Sequence, residues 1–324
     1  MTGTTLHNSP LDPLDAALIW HQAGHGVALA TVIETWGSAP RRAGSMSCIR
    51  DDGLFTGSVS GGCVEGDVIA AAEDTISQGR VQKLNYGVSN TKAWEVGLAC
   101  GGKISIILEP APIDLIQQAV TLRQDKIPFA LLLSEEKGSL RCIREDNAAL
   151  KSGKLTSVLW EDKAAVLIPF NPPLKLIIIG AVHIAQALIP LAAQMGYEVI
   201  LIDPREGFAQ AERFQSITII GDWPDEALGE VEINNRTAIV TLTHDPKLDD
   251  PALTQALRSD CFYIGSLGSK KTHAARLERL KSAGFKDKDL NRIHGPVGLD
   301  IGAKNPEEIA LSIMAEITSV LRVE

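Results

Sequence analysis

Cysteine is scarce and scattered: five residues (Cys48, Cys63, Cys100, Cys142 and Cys261) lie far apart in 324, with no Cys-x-x-Cys spacing. This argues against a cysteine zinc site or a redox dithiol and predicts reduced thiols and a cytoplasmic location. Long apolar runs are also missing. Ala164–Pro169 and Leu174–Gly180 are the longest, well short of the roughly 20 residues that span a bilayer. Positive charge is in deficit, with a net charge of −9, which disfavours nucleic-acid and anionic-membrane partners because both require a broad basic surface. The first residues show no basic segment followed by an apolar core, so no export signal is expected. Repeats and low-complexity tracts are absent.

The composition that remains, 45% hydrophobic and 22% charged, is that of a globular protein. The length favours about two domains. The strongest break is Asn171-Pro172-Pro173, because consecutive prolines stop helix and sheet propagation. Residues 1–170 are expected to form an N-terminal α+β domain. Its predicted elements are a helix over Leu11–Gly24 capped by Asp12, strands at Val27–Thr35, Ser45–Arg50, Leu54–Val59, Lys103–Leu108, Pro128–Leu133 and Arg141–Arg144, and helices over Val64–Ile76 and Ile113–Arg123. Residues 174–324 alternate strands and helices, the pattern of a Rossmann-like domain with a parallel sheet. Five strands are predicted there, at Leu174–Ile179, Glu198–Ile202, Ile217–Ile220, Thr237–Thr241 and Cys261–Ile264. The helices are placed at Ile184–Met195, Pro251–Arg258 and Lys270–Ala283, with a last one opened by Asn305-Pro306-Glu307-Glu308.

The first candidate site is Gly57-Ser-Val-Ser-Gly-Gly-Cys-Val-Glu-Gly66. The helical spacing that starts at Val64 places Cys63 in a first turn, among unpaired amides that favour an anion and lower a thiol's pKa. Gly61 and Gly62 permit close backbone approach, and Glu65 is a nearby proton acceptor. The cysteine is equally compatible with a nucleophile, a ligand or an inert core residue. Arg41 and Arg42, in a loop of small residues, suggest an anion clamp or an exposed basic turn. Cys100 stands beside Gly101 and Gly102 and is a candidate partner in a sulfur relay.

In the second domain Gly180-Ala-Val-His183 joins a strand to a helix, and Asp203 ends the next strand, the layout of a dinucleotide fold. The second glycine of that motif is replaced by Val182, a branched side chain where phosphates would approach, while His183 lies at the helix N-terminus. Gly265-Ser-Leu-Gly268-Ser269-Lys270-Lys271 is read as a second anion loop, since two lysines in a helix's first turn oppose the macrodipole unless an anion offsets them. Along that helix Arg276 and Arg279 read as a solvated basic face, with Ala274, Leu277 and Leu280 turned to the core. His244 and Asp249, after the fourth strand, have the chemistry for acid/base work, although a self-satisfied Asp-Pro turn explains most of that segment.

Taken in order, these motifs resemble the XdhC/CoxI family, accessory proteins for molybdenum hydroxylases such as xanthine dehydrogenase. The resemblance is carried by Ser38-Ala-Pro-Arg41 with Gly44-Ser-Met46, Gly57–Glu65, Cys100-Gly-Gly102, Gly180-Ala-Val-His183, Tyr263–Lys270 and His294-Gly-Pro-Val-Gly-Leu-Asp-Ile-Gly302, and Val182 departs from the family's usual glycine. It implies a chaperone without turnover of its own. Such a protein binds molybdenum cofactor, shields it while a cysteine desulfurase supplies its sulfido ligand, and delivers it to a hydroxylase; a homodimer is the expected assembly by analogy. The implied cofactor-binding residues are Cys63, Gly61, Gly62, Glu65, Arg41, Cys100, Gly180, His183, Asp203, Gly265, Gly268, Ser269 and Lys270, with Cys63 at the molybdenum and Glu65 managing protons. Two competing readings are an NAD(P)-dependent oxidoreductase that uses Asp203 with Cys63 or His244, and an interaction module that recruits a desulfurase without holding cofactor.

Overall fold

The computed structural model describes residues 11–37, 41–87, 102–214 and 217–322. The chain divides into two compact units at Pro172 and Pro173.

The first unit contains, in chain order, α1 (Pro13–Gln22), β1 (Val27–Trp36), β2 (Met46–Arg50), β3 (Phe55–Gly57), α2 (Glu65–Gln78), β4 (Gln82–Tyr86), β5 (Lys103–Pro110), α3 (Ile113–Gln124), β6 (Phe129–Ser134), β7 (Gly138–Ile143), α4 (Ala148–Ser152), β8 (Thr156–Trp160) and β9 (Lys163–Phe170). The Asp12 carboxylate accepts from the Leu14 amide at 2.9 Å, and Pro13 opens α1 where an N–H has no helical partner. Five strands form an antiparallel sheet, β3-β2-β1-β5-β4, and four form another, β7-β6-β9-β8. In the five-stranded sheet the central strand β1 is buried on both faces because alternate side chains enter different cores. Leu29 joins α1 and α3 in one, while Ala28, Ala30 and Val32 pack with Val64, Val68 and Ala72 in the other. Strands β4, β8 and β9 were absent from the sequence reading; β4 and β8 alternate half-buried with exposed residues, which is a weak apolar signal.

Glu109, only 3% exposed, ties β5 to β7 by accepting from the Ser139 amide (2.7 Å) and hydroxyl (2.5 Å). Burial raises its pKa to about 6 against the opposing pull of Ser139. Folding therefore favours the protonated carboxyl. Its contribution is complete below the ordinary pKa near 4.5 and disappears as pH rises through about 6, a span of about 2 kcal/mol. Glu109→Gln is expected to flatten the pH dependence of the urea midpoint across that window. An unchanged slope would rule Glu109 out as its source.

The second unit contains β10 (Lys175–Ile179), α5 (His183–Gln194), β11 (Glu198–Ile202), β12 (Thr218–Ile220), α6 (Pro224–Glu230), β13 (Thr237–Thr241), α7 (Pro246–Arg258), β14 (Tyr263–Ser266), α8 (Lys270–Ser282), α9 (Asp287–Leu290), β15 (Ile293–His294) and α10 (Pro306–Arg322). Its six strands are all parallel, in the order β12-β11-β10-β13-β14-β15. Counted within the unit this is 3-2-1-4-5-6, the Rossmann order, and the order reverses between β10 and β13. Strand β15, too short to leave a pattern, was not anticipated. Helix α7 starts at Pro246, five residues before the predicted Pro251, because Asp245 caps it by accepting from the Lys247 amide at 2.9 Å. Among the described residues no helix is long and apolar enough to cross a membrane.

Candidate functional site

In the first unit the glycine loop is organised by Glu65. Its carboxylate accepts from Ser58 Oγ (2.7 Å), Ser60 N (3.0 Å), Gly61 N (3.0 Å), Gly62 N (2.8 Å) and Ser60 Oγ. Burial pushes the Glu65 pKa up, but the bonds from Ser60 and Ser58 outweigh it and hold the group at about 2. Two expectations are corrected. Helix α2 begins at Glu65 with Val64 as its cap, so Cys63 stands just outside the first turn, and the amides meant to draw negative charge to it are already filled by Glu65. Glu65 itself stays ionised at neutral pH and is an anchor, not a proton acceptor. Cys63 is half-buried and packs against the Val59–Val64–Val68 cluster, whereas Gly61 and Gly62 are exposed.

Arg41 is exposed and, together with Met46, Gly57, Ser58 and Phe170, lines a cavity of about 260 Å3. Ser58 joins that cavity to the loop carrying Cys63, since its hydroxyl donates to Glu65 and accepts from Gly61 N at 2.9 Å. Neither Arg41 nor Arg42 has a carboxylate partner among the described residues. A larger cavity, about 330 Å3, is lined by Glu34, Trp36, Tyr86 and Lys103 and by none of the anticipated site residues; Tyr86 donates to Asp67 in the first turn of α2 at 2.6 Å. Burial raises the thiol pKa of Cys48 to about 12 and that of Cys142 to about 11. Cys100, Gly101 and Ser38–Pro40 lie outside the described residues.

In the second unit Gly180 adopts φ +110°, and a Cβ there would come within 2.5 Å of Thr243 Cγ2. Only glycine allows the β10 and β13 loops to close on each other at the switch point. Val182 caps α5 in extended conformation (φ −91°, ψ 176°), half-buried against the apolar core, and His183 is exposed beside it. Asp203 is 1% exposed and saturated: Oδ2 accepts from Ala181 N (2.8 Å) and Arg205 Nη2 (2.6 Å), and Oδ1 from Arg205 N (3.0 Å) and Nε (2.8 Å). Burial alone would raise its pKa, but Arg205 and the Ala181 amide hold it below the usual carboxylate range. A carboxylate so occupied has no oxygen for a ribose diol. The dinucleotide arrangement expected of the motif therefore does not fit Asp203.

Strand β14 runs to Ser266, so Gly265 belongs to the strand and not to the loop. A Cβ on Gly265 would fall 2.5 Å from Val297 and 2.8 Å from the Tyr263 ring, so close packing explains this glycine. The loop proper is Leu267-Gly268-Ser269, with the Ser269 hydroxyl capping α8 at Thr272 N (3.1 Å) and Lys270 exposed. Arg276, read as a solvated residue, is 1% exposed and pairs with buried Asp249 at 3.5 Å. Asp249 also accepts from Thr243 Oγ1 at 2.6 Å, which makes it a structural group rather than an acid/base one. Ala274, expected in the core, is exposed.

The sequence reading missed a convergence around Glu316. Its carboxylate accepts from Tyr263 Oη (2.5 Å) and Gly298 N (2.9 Å) and lies 3.3 Å from His294 Nδ1, while the Tyr263 and His294 rings stack at 4.8 Å. A carboxylate adjoining the apolar stripe Ile313–Ile317 was the available signal.

Residues 20–87 match the family model described as the XdhC and CoxI family, and residues 176–317 the one described as the XdhC Rossmann domain. The chain is 30% identical over 299 residues, covering 92% of it and 84% of the relative, to an Escherichia coli K12 protein named molybdenum cofactor insertion chaperone PaoD. It is 28% identical to a Bacillus subtilis 168 protein described as a probable xanthine dehydrogenase subunit, covering 89% of this chain and 91% of that one. A solved structure from Bacillus halodurans, described as a xanthine dehydrogenase, superposes with a TM-score of 0.78 at 25% identity and 96% coverage of both chains.

Proposed function

The chain belongs to the XdhC and CoxI family, and from that premise we propose that it carries molybdenum cofactor as cargo, guards it during sulfuration and hands it to a xanthine dehydrogenase-type hydroxylase. The observation that supports this most is the shared wall of the first unit. Ser58 lines the Arg41 cavity and also holds the Glu65-anchored loop that presents Cys63. A guanidinium suits the cargo's phosphate because it forms paired charge-assisted hydrogen bonds. The Gly61 and Gly62 amides are spent on Glu65, which leaves the anionic arm of the cargo to Arg41. Cys63, a soft sulfur donor on that loop, is the residue we assign to the metal end.

The test is anaerobic incubation of the folded protein with molybdenum cofactor, followed by gel filtration and measurement of bound molybdenum. Wild type is expected to retain cofactor, Arg41→Ala to bind about tenfold less tightly from loss of one charge-assisted contact, and Cys63→Ala to retain less. No retention by folded wild type defeats the proposal. Undiminished retention by Cys63→Ala removes that residue from the site but leaves the cargo role standing.

A further inference from the structure

In the second unit Arg276 is a buried cation whose hydrogen bonds are incomplete. Its Nη2 donates to the Leu267 carbonyl at 2.8 Å and faces Asp249 at 3.5 Å, while Nε and Nη1 have no partner among the described residues. Burying a guanidinium with two open donors costs several kcal/mol unless something restores the charge balance. Its placement is specific. Arg276 is in the second turn of α8, and helical side chains lean toward the N-terminus, which brings its head beneath the Leu267–Ser269 loop. A Cβ on Gly268 would lie 3.6 Å from Arg276 Nη2, and the φ of +148° at Gly268 suits glycine, so bare backbone covers the guanidinium.

Above that buried cation, α8 presents a positive surface. Lys270 and Lys271 are exposed in its first turn, which has no acidic residue. The amides of Gly268, Ser269 and Lys270 have no acceptor among the described residues, whereas that of Thr272 is satisfied by Ser269 Oγ. Two lysines, a buried arginine and the positive end of a 13-residue helix all concentrate on one loop. The arrangement is unfavourable as it stands and becomes favourable when a dianion sits on the loop. Asp249 neutralises Arg276 only in part, because the contact is long and Asp249 Oδ2 accepts no hydrogen bond among the described residues.

We infer that the Gly268–Lys271 loop is a binding site for the phosphate of a small molecule, with the loop amides and Lys270 and Lys271 contacting it and Arg276 positioned beneath as a supporting charge. The inference stands on the second unit alone and does not rest on the cargo reading. A phosphate has two sources here, a separate nucleotide or, should the phosphate arm of the cargo not sit on Arg41, that arm. The saturated Asp203 argues against the extended dinucleotide pose, so the loop would hold a terminal phosphate.

The experiment is a thermal-shift and calorimetric titration of the full chain with inorganic phosphate, ADP and molybdenum cofactor, at low and high salt. Wild type is expected to bind at least one of them, more weakly as salt rises. The Lys270→Ala/Lys271→Ala pair, on exposed side chains, is expected to weaken that binding about tenfold or more without lowering the ligand-free melting temperature. Lysine-dependent binding of ADP assigns the site to a nucleotide, and the same dependence confined to molybdenum cofactor assigns it to the cargo's phosphate. Arg276→Lys tests the supporting charge: affinity is expected to fall less than in the double alanine variant, with the salt dependence kept. If Arg276→Lys fails to fold, the lysine pair decides the question. Absence of any binding, or binding unaltered by loss of both lysines, overturns the inference.

Discussion

Arg276→Met is expected to destabilise the second unit by about 3–5 kcal/mol, the cost of breaking a buried ion pair from one side. Methionine keeps most of the length and apolar contact of the stem, so the loss comes from the charge. Asp249 would remain 1% exposed with only Thr243 as a hydrogen-bond partner, and the Leu267 carbonyl would lose its donor. Burial already raises the Asp249 pKa despite Arg276, and without the cation the carboxyl would take up a proton more readily. The double variant Arg276→Met/Asp249→Leu is expected to recover much of the stability, because replacing both partners removes the stranded charge. Urea unfolding of wild type, single and double variants measures this directly. A single variant within about 1 kcal/mol of wild type would show that the pair is already compensated by buried water.

This pair also marks the limit of what the sequence discloses. Helix α8 carries Lys270, Lys271, Arg276, Arg279 and Lys281, and composition alone makes all five look solvated. Arg276 lies four residues before the buried Leu280, on the inward stripe, whereas Ala274 lies off it. Position on the stripe, not residue type, held the information. What settles the burial is Asp249 on α7, a tertiary neighbour that no local pattern announces. Local signals performed better: Asp12-Pro13 marked the start of α1, and the continuous apolar runs of β10 and β13 revealed strands covered on both faces. The Rossmann unit was legible for that reason, and its edge strand β15, two residues long, was not.

The first unit raises the same issue at Glu65, where the sequence showed an acid near a glycine loop but not that the loop folds around it. Glu65→Ala is expected to cost about 2–4 kcal/mol, because five donors lose one acceptor and two of them belong to Ser60, itself 1% exposed. Water can replace the carboxylate at the exposed Gly61 and Gly62, which keeps the loss below the sum of five bonds. Glu65→Gln is expected to fare little better than alanine, since its amide nitrogen would point a donor at donors. The pH dependence supplies a second check. With a folded pKa near 2 against an ordinary 4.5, the carboxylate's contribution is intact above about 4.5 and is lost as pH falls through about 2. The gap between wild type and Glu65→Ala should therefore narrow over that range, a contribution reduced by the solvent that reaches this half-buried group. Urea midpoints at pH 7 and pH 3 measure the change, and a glutamine variant as stable as wild type would defeat the account. Because the same loop forms one wall of the Arg41 cavity and carries Cys63, the proposed cargo role predicts that both variants also lose molybdenum cofactor at temperatures where the unit remains folded, so that loss of cargo precedes loss of structure.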